Sequence, residues 1–126
     1  MGIVVIDMKL TKIEFEIMDV LWASESPMTA AKIVAASPNR TWKEKSIQII
    51  IRSLRKKGAV TLDQYVSTVS NKAVTYKPTI TKEEYVISQI RESGIDIKVL
   101  CSAILEDKEY KKELAGSMYF RKENND

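Results

Sequence analysis

The sequence predicts a mostly α-helical chain with a small β-hairpin wing: a winged helix-turn-helix domain over residues 1–80, followed by a helical arm over residues 81–126. Three observations predict it. Capping boxes of the form Thr-x-x-Glu stand at Thr11–Glu14, Thr41–Glu44 and Thr81–Glu84, each opening an apolar-periodic run. After Gly58 the pattern changes from helical to β-prone, with Ala59–Val66 and Ala73–Tyr76 separated by a polar stretch. Finally, the segment from Arg40 to Lys57 holds seven cations (Arg40, Lys43, Lys45, Arg52, Arg55, Lys56, Lys57) against one anion, Glu44. That net +6 exceeds the +3 of the whole chain, so positive charge is concentrated on one predicted helix.

The first helix starts at the Thr11 box and carries Ile13, Ile17, Met18, Val20 and Leu21 at helical spacing, ending near Trp22. Pro27 breaks the chain, and Thr29 caps a second helix through Ala36, with Ile33 and Val34 inward. Ser37-Pro38-Asn39 is a turn. The third helix starts at the Thr41 box and stops at Gly58. A hairpin with Ser70-Asn71 near its tip follows, Pro78 ends its second strand, and the Thr81 box starts the next helix.

Composition excludes several functions. The chain has 126 residues, 44% of them hydrophobic and 29% charged, which suits a soluble, packed protein. It has no histidine and one cysteine, Cys101, so Ser-His-Asp and Cys-His catalysis, an internal disulfide and the usual zinc sites are excluded; no metal or cofactor is expected. The Ile3–Ile6 run is too short for a signal-peptide core, and Ile6 stands where a myristoylation signal needs Ser or Thr. No stretch has the length of a membrane span, so a cytoplasmic protein is expected. Four glycines form no phosphate-binding loop, and no nucleophile–base pair can be built, which argues against an enzyme.

On the third helix Ile47, Ile50, Ile51 and Leu54 form the buried stripe, while Lys45, Gln48, Ile49, Arg52, Arg55 and Lys56 point away. An apolar back and a cationic front suit a helix laid in a major groove. Ile49 is the misfit: it either packs against the hairpin or meets a thymine methyl. The candidate DNA-binding residues are Thr41, Lys43, Lys45, Ser46, Gln48, Ile49, Arg52, Arg55, Lys56 and, on the wing, Lys72. The competing class is a winged helix that only binds other proteins, which has little reason to gather +6 on its third helix.

Leu10-Thr11-Lys12-Ile13-Glu14, Ile17-Met18, Leu21-Trp22, Pro27-Met28-Thr29, Trp42, Lys45-Ser46-Ile47, Lys57-Gly58 and Tyr76-Lys77-Pro78 together resemble, in order and spacing, the BlaI/MecI penicillinase-repressor family. The resemblance implies a homodimeric transcriptional repressor on a palindromic DNA operator, control of β-lactam resistance genes, and a signalling link to a membrane sensor-peptidase. Ser46 and Ile49 stand where the family usually has Thr, Ser53 where it often has Arg, and Asn71-Lys72 where it has a Gly-Arg wing tip. The family's Asn-Phe cleavage bond is absent; its place corresponds to Cys101-Ser102, within a residue or two. The cysteine cluster of the related copper-responsive repressors is also missing.

From Thr81 onward the chain is too short for its own core, yet it is amphipathic. Ile97, Leu100, Cys101, Ile104 and Leu105 fall on one helix face, preceded by Tyr85, Ile87 and Ile90 and followed by Tyr110, Leu114 and Met118. The expected cover is a second copy of the chain, so Tyr85, Ile97, Leu100, Cys101, Ile104, Leu105, Leu114 and Met118 are the candidate dimerisation residues; the competing expectation is that the arm folds back on its own winged domain. Cys101 reads as a small buried hydrophobe within that stripe, the competing reading being a redox or thiol sensor. Residues after Arg121 are expected to fray.

Overall fold

The computed structural model describes residues 9–67 and 72–124, with side chains through residue 116. The Ile3–Ile6 run, the Ser70-Asn71 tip and the Met118 side chain lie outside the described residues. Six α-helices and three short strands follow the order α1 (Lys12–Ala23), β1 (Met28–Thr29), α2 (Ala30–Ala35), a 3-10 turn (Glu44–Ser46), α3 (Ile47–Lys56), β2 (Val60–Ser67), β3 (Lys72–Pro78), α4 (Lys82–Ser93), α5 (Ile97–Glu106) and α6 (Lys108–Asn124). The chain packs as two units, Met1–Gln89 and Ile90–Asp126, which divide within α4.

In the first unit α1, α2 and α3 surround a core of Ile17, Met18, Leu21, Ile33, Ile51 and Leu54. The expected stripe on α1 is shifted at one position: Ile13 is exposed and Glu14 is buried. Glu14 closes the first capping box, taking the Thr11 amide at 2.8 Å while Thr11 Oγ1 accepts from the Glu14 amide at 3.1 Å. The box at Thr81 forms in the same way. The box at Thr41 does not. Thr41 is tied to α1 instead, its amide donating to Glu16 Oε1 at 3.1 Å and its hydroxyl to Oε2 at 2.7 Å. The cap moves to Lys43, which makes no side-chain cap bond, and a 3-10 turn over Glu44–Ser46 leads into α3 at Ile47. Gly58 ends α3 at φ 83°, a left-handed backbone that favours glycine.

The wing is part of a three-stranded antiparallel sheet ordered β1-β3-β2. Strand β1 was not visible in the sequence. Its two residues pair Met28 with Tyr76 and Thr29 with Thr75, stitching the start of α2 to the wing.

The first two turns of α4 belong to this unit. Tyr85 is buried there and its hydroxyl accepts the Leu10 amide at 3.1 Å. Its ring joins Phe15 and Trp22 at centroid distances of 5.8 and 6.0 Å, and the Trp22 indole donates to the Ile80 carbonyl at 2.9 Å.

The second unit holds the end of α4 and two further helices, α5 and α6, joined at Asp107. Asp107 Oδ1 accepts the Glu109 and Tyr110 amides, which ends α5 and caps α6. The sequence showed one continuous stripe here because apolar spacing alone does not register this break. Helix α6 runs on to Asn124, past Arg121 where fraying was expected.

Candidate nucleic-acid interface

Helix α3 presents two chemically distinct faces. Ile47, Ile51 and Leu54 are buried, and Ile50 is half-buried. Lys45, Gln48, Ile49, Arg52, Arg55 and Lys56 are exposed, as the sequence periodicity predicts. Ile49 is 65% exposed, so it does not pack against the hairpin. An isoleucine held in water beside Gln48 and Arg52 is available for apolar contact with a base edge.

The seven cations do not act alike. Arg40 pairs with Glu44 at 3.6 Å and its guanidinium lies 5.7 Å from the Trp42 ring centroid. Lys57 turns inward and pairs with Glu14, both side chains being at most 10% exposed. Lys43, Lys45, Arg52, Arg55 and Lys56 remain exposed and form no ion pair among the described residues. Arg52, Arg55 and Lys56 on α3, with Lys43 and Lys45 just before it, leave a strong positive field around this segment. Arg55 and Lys56 also sit in the last turn of α3, where the helix dipole favours positive charge.

Two ion-pair and hydrogen-bond sets fix α3 relative to α1. Glu14 receives Ser53 Oγ and Lys57 Nζ in addition to its own cap, and Lys57 Nζ also donates to the Lys9 carbonyl at 3.2 Å. Burial pushes the Glu14 carboxyl upward, but the bonds from Lys57, Ser53 and the Thr11 amide outweigh it and hold the carboxyl below its ordinary range. At the other end, the two bonds from Thr41 hold the Glu16 carboxyl low. Thr41, expected from sequence to cap the third helix and to contact DNA, is thus engaged by Glu16 instead. Neither set has a local sequence signal, because the partners brought together lie 25 to 48 residues apart.

Lys72 is exposed on the wing and pairs in register with Ser67. Ser46 is half-buried at the start of α3.

A family model described as penicillinase repressor matches residues 10–112. The chain belongs to the penicillinase repressor family. That match covers α1 through the first turns of α6. A solved structure, a crystal structure of the zinc-responsive MarR family member ZitR from Lactococcus lactis, is similar over 99% of this chain and 83% of its own, at 13% identity and a TM-score of 0.45. Comparison with curated proteins gives no significant match. As a family member the chain is a winged-helix, DNA-binding transcriptional regulator. The departure at Ser53 has a structural resolution: Ser53 donates to Glu14, and the cation that pairs with Glu14 comes one turn later, from Lys57.

The second unit bears the remaining candidates. Ile97, Leu105 and Leu114 are exposed at 55, 57 and 41%, Leu100 and Ile104 are half-buried, and Cys101 is exposed. Tyr85, the remaining described candidate, lies in the core of the first unit and is only 4% exposed. No described helix is long and apolar enough to cross a membrane.

Proposed function

We propose that the chain is a cytoplasmic, homodimeric repressor that binds a palindromic double-stranded DNA operator. Five exposed cations with no ion pair among the described residues carry this reading: Lys43 and Lys45 just before α3, and Arg52, Arg55 and Lys56 on α3 beside exposed Gln48 and Ile49. In it, residues 1–80 supply the DNA-binding domain and residues 81–126 the dimerisation arm. Lys45, Arg52, Arg55 and Lys72 contact phosphates, while Ser46, Gln48 and Ile49 reach base edges. The stripe Ile97, Leu100, Cys101, Ile104 and Leu105 is covered by a second copy, because it leaves Ile97, Cys101 and Leu105 exposed and Leu100 and Ile104 half-buried on one helix, and apolar residues exposed at this density mark an association surface.

Control of β-lactam resistance genes and a link to a membrane sensor-peptidase are proposed from family membership. The residues at Cys101-Ser102 do not provide an Asn-Phe bond, so inactivation proceeds by another bond or another signal. The test is operator selection from a random duplex library, followed by gel shift and sedimentation. Enrichment of an inverted repeat bound by two chains is expected. Recovery of no sequence, with binding to protein partners only, would replace this reading with that of an interaction module.

A further inference from the structure

Strand β2 contains an irregularity that packing does not explain. Leu62 pairs with Tyr76, but the next pairing is Gln64 with Thr75, so Asp63 is an extra residue in a β-bulge. In a regular strand Leu62 and Tyr65, three positions apart, would point to opposite faces. The bulge puts both on the face shared by Tyr76 and Val74, the face that meets the helices. Several bonds hold it. Buried Thr75 accepts the Gln64 amide at 3.2 Å, and its hydroxyl lies 3.3 Å from Asp63 Oδ2 and 3.2 Å from the Gln64 carbonyl. Lys77 pairs with Asp63 at 3.5 Å.

The residue thus re-aimed is not used in the core. Tyr65 is 73% exposed, the highest value among the exposed large hydrophobic side chains. Beyond it toward the tip, Ser67 and Lys72 are directly paired on the same face. Tyr65, Val66, Ser67 and Lys72 line a cleft of about 380 Å³.

We infer that Tyr65 is a DNA contact of the wing, laying its ring against the deoxyriboses of the minor groove next to the major groove read by α3. This rests on the DNA-binding reading above. The occupant is DNA rather than protein because the ring lines a cleft with Lys72, and the same unit exposes Lys43, Lys45, Arg52, Arg55 and Lys56 with no ion pair among the described residues. An aromatic ring flanked by a cation and a hydroxyl matches a sugar–phosphate strand: apolar C–H surface for the ring, phosphate for the charge. Tyr65 reads groove shape and carries no charge, so its signature differs from that of the lysines.

Hydroxyl-radical footprinting of the full chain on a selected operator duplex tests this, because the radical attacks deoxyriboses in the minor groove. The wild type protects sugars flanking each half-site. Tyr65→Ala loses that protection, binds roughly tenfold more weakly and keeps the wild-type salt slope, whereas Lys72→Ala lowers the slope by about one. Tyr65→Phe keeps the protection. If Ala loosens the strand, Tyr65→Thr retains strand propensity and gives the same readout. Flank protection and affinity unchanged in Tyr65→Ala, with the wild type binding normally, would overturn the inference alone. A wild type that binds no duplex would overturn the DNA-binding reading as well.

Discussion

Replacing Glu14 by Gln should destabilise the winged unit far more than a surface substitution. Gln at the third helical position still completes the capping box, so the change isolates the charge. Lys57 is left with its ammonium in a site where its side chain is 10% exposed, with only the Lys9 carbonyl and a neutral amide for partners. Removing one partner of a buried pair costs about 3–5 kcal/mol when fully enclosed. Partial access of water to Lys57 brings the expectation to about 2–3 kcal/mol, or roughly 10–20 °C in Tm for a unit of this size.

Acidity should reveal the same carboxylate. Its folded pKa lies below the ordinary 4.5, so its contribution is complete above that value and is lost as pH falls through the folded pKa. The gap between wild type and Glu14→Gln should therefore narrow below about pH 4.5. Thermal melts of both proteins from neutral pH downward are the assay. In the double variant Glu14→Gln, Lys57→Met, the cost should be smaller than the sum of the single costs. A Glu14→Gln melt within about 0.5 kcal/mol of wild type, the range of ordinary surface changes, would show that the Glu14–Lys57 pair does not hold the unit together.

Three further outcomes follow from the same geometry. Gln48→Ala should relax selection at one base pair per half-site, at about 1–3 kcal/mol; an unchanged selection profile rules out direct readout by Gln48. Removing residues from Ile95 onward should leave a folded monomer whose operator binding is weaker by on the order of 10²-fold, and sedimentation that still shows a dimer would place the interface elsewhere. Leu100→Asp or Ile104→Asp should act similarly by charging the apolar stripe, while Cys101→Ser should be mild in both assembly and DNA binding.

Much of the fold was legible because its signals are local. The caps at Thr11 and Thr81, the stop at Gly58 and the buried stripe on α3 are set by residues within one or two turns. What escaped depends on distant partners. Thr41 offers the same Thr-x-x-Glu pattern as its counterparts, but Glu16 on α1 competes for it and delays the helix. Glu14 looks like a surface cap residue until Lys57 and Ser53 arrive from the far end of α3. Charge counting overstated the cationic face for that reason, as Arg40 and Lys57 are engaged elsewhere. Tyr85 shares a helical period with the arm, yet Phe15 and Trp22 draw it into the first unit. Tyr65 was missed because its placement depends on a bulge, and a one-residue insertion in a ladder has no signature in a strand read alone.

The grip of α3 on DNA through its exposed cations is tested by a salt titration of operator binding for wild type and Arg52→Ala. The wild-type log affinity should fall linearly with log salt, by about 0.9 for each phosphate neutralised, and Arg52→Ala should lower that slope by about one and weaken binding to every sequence alike. A flat wild-type slope, or an Arg52→Ala slope and affinity equal to wild type, would contradict the assignment of α3 as the recognition helix.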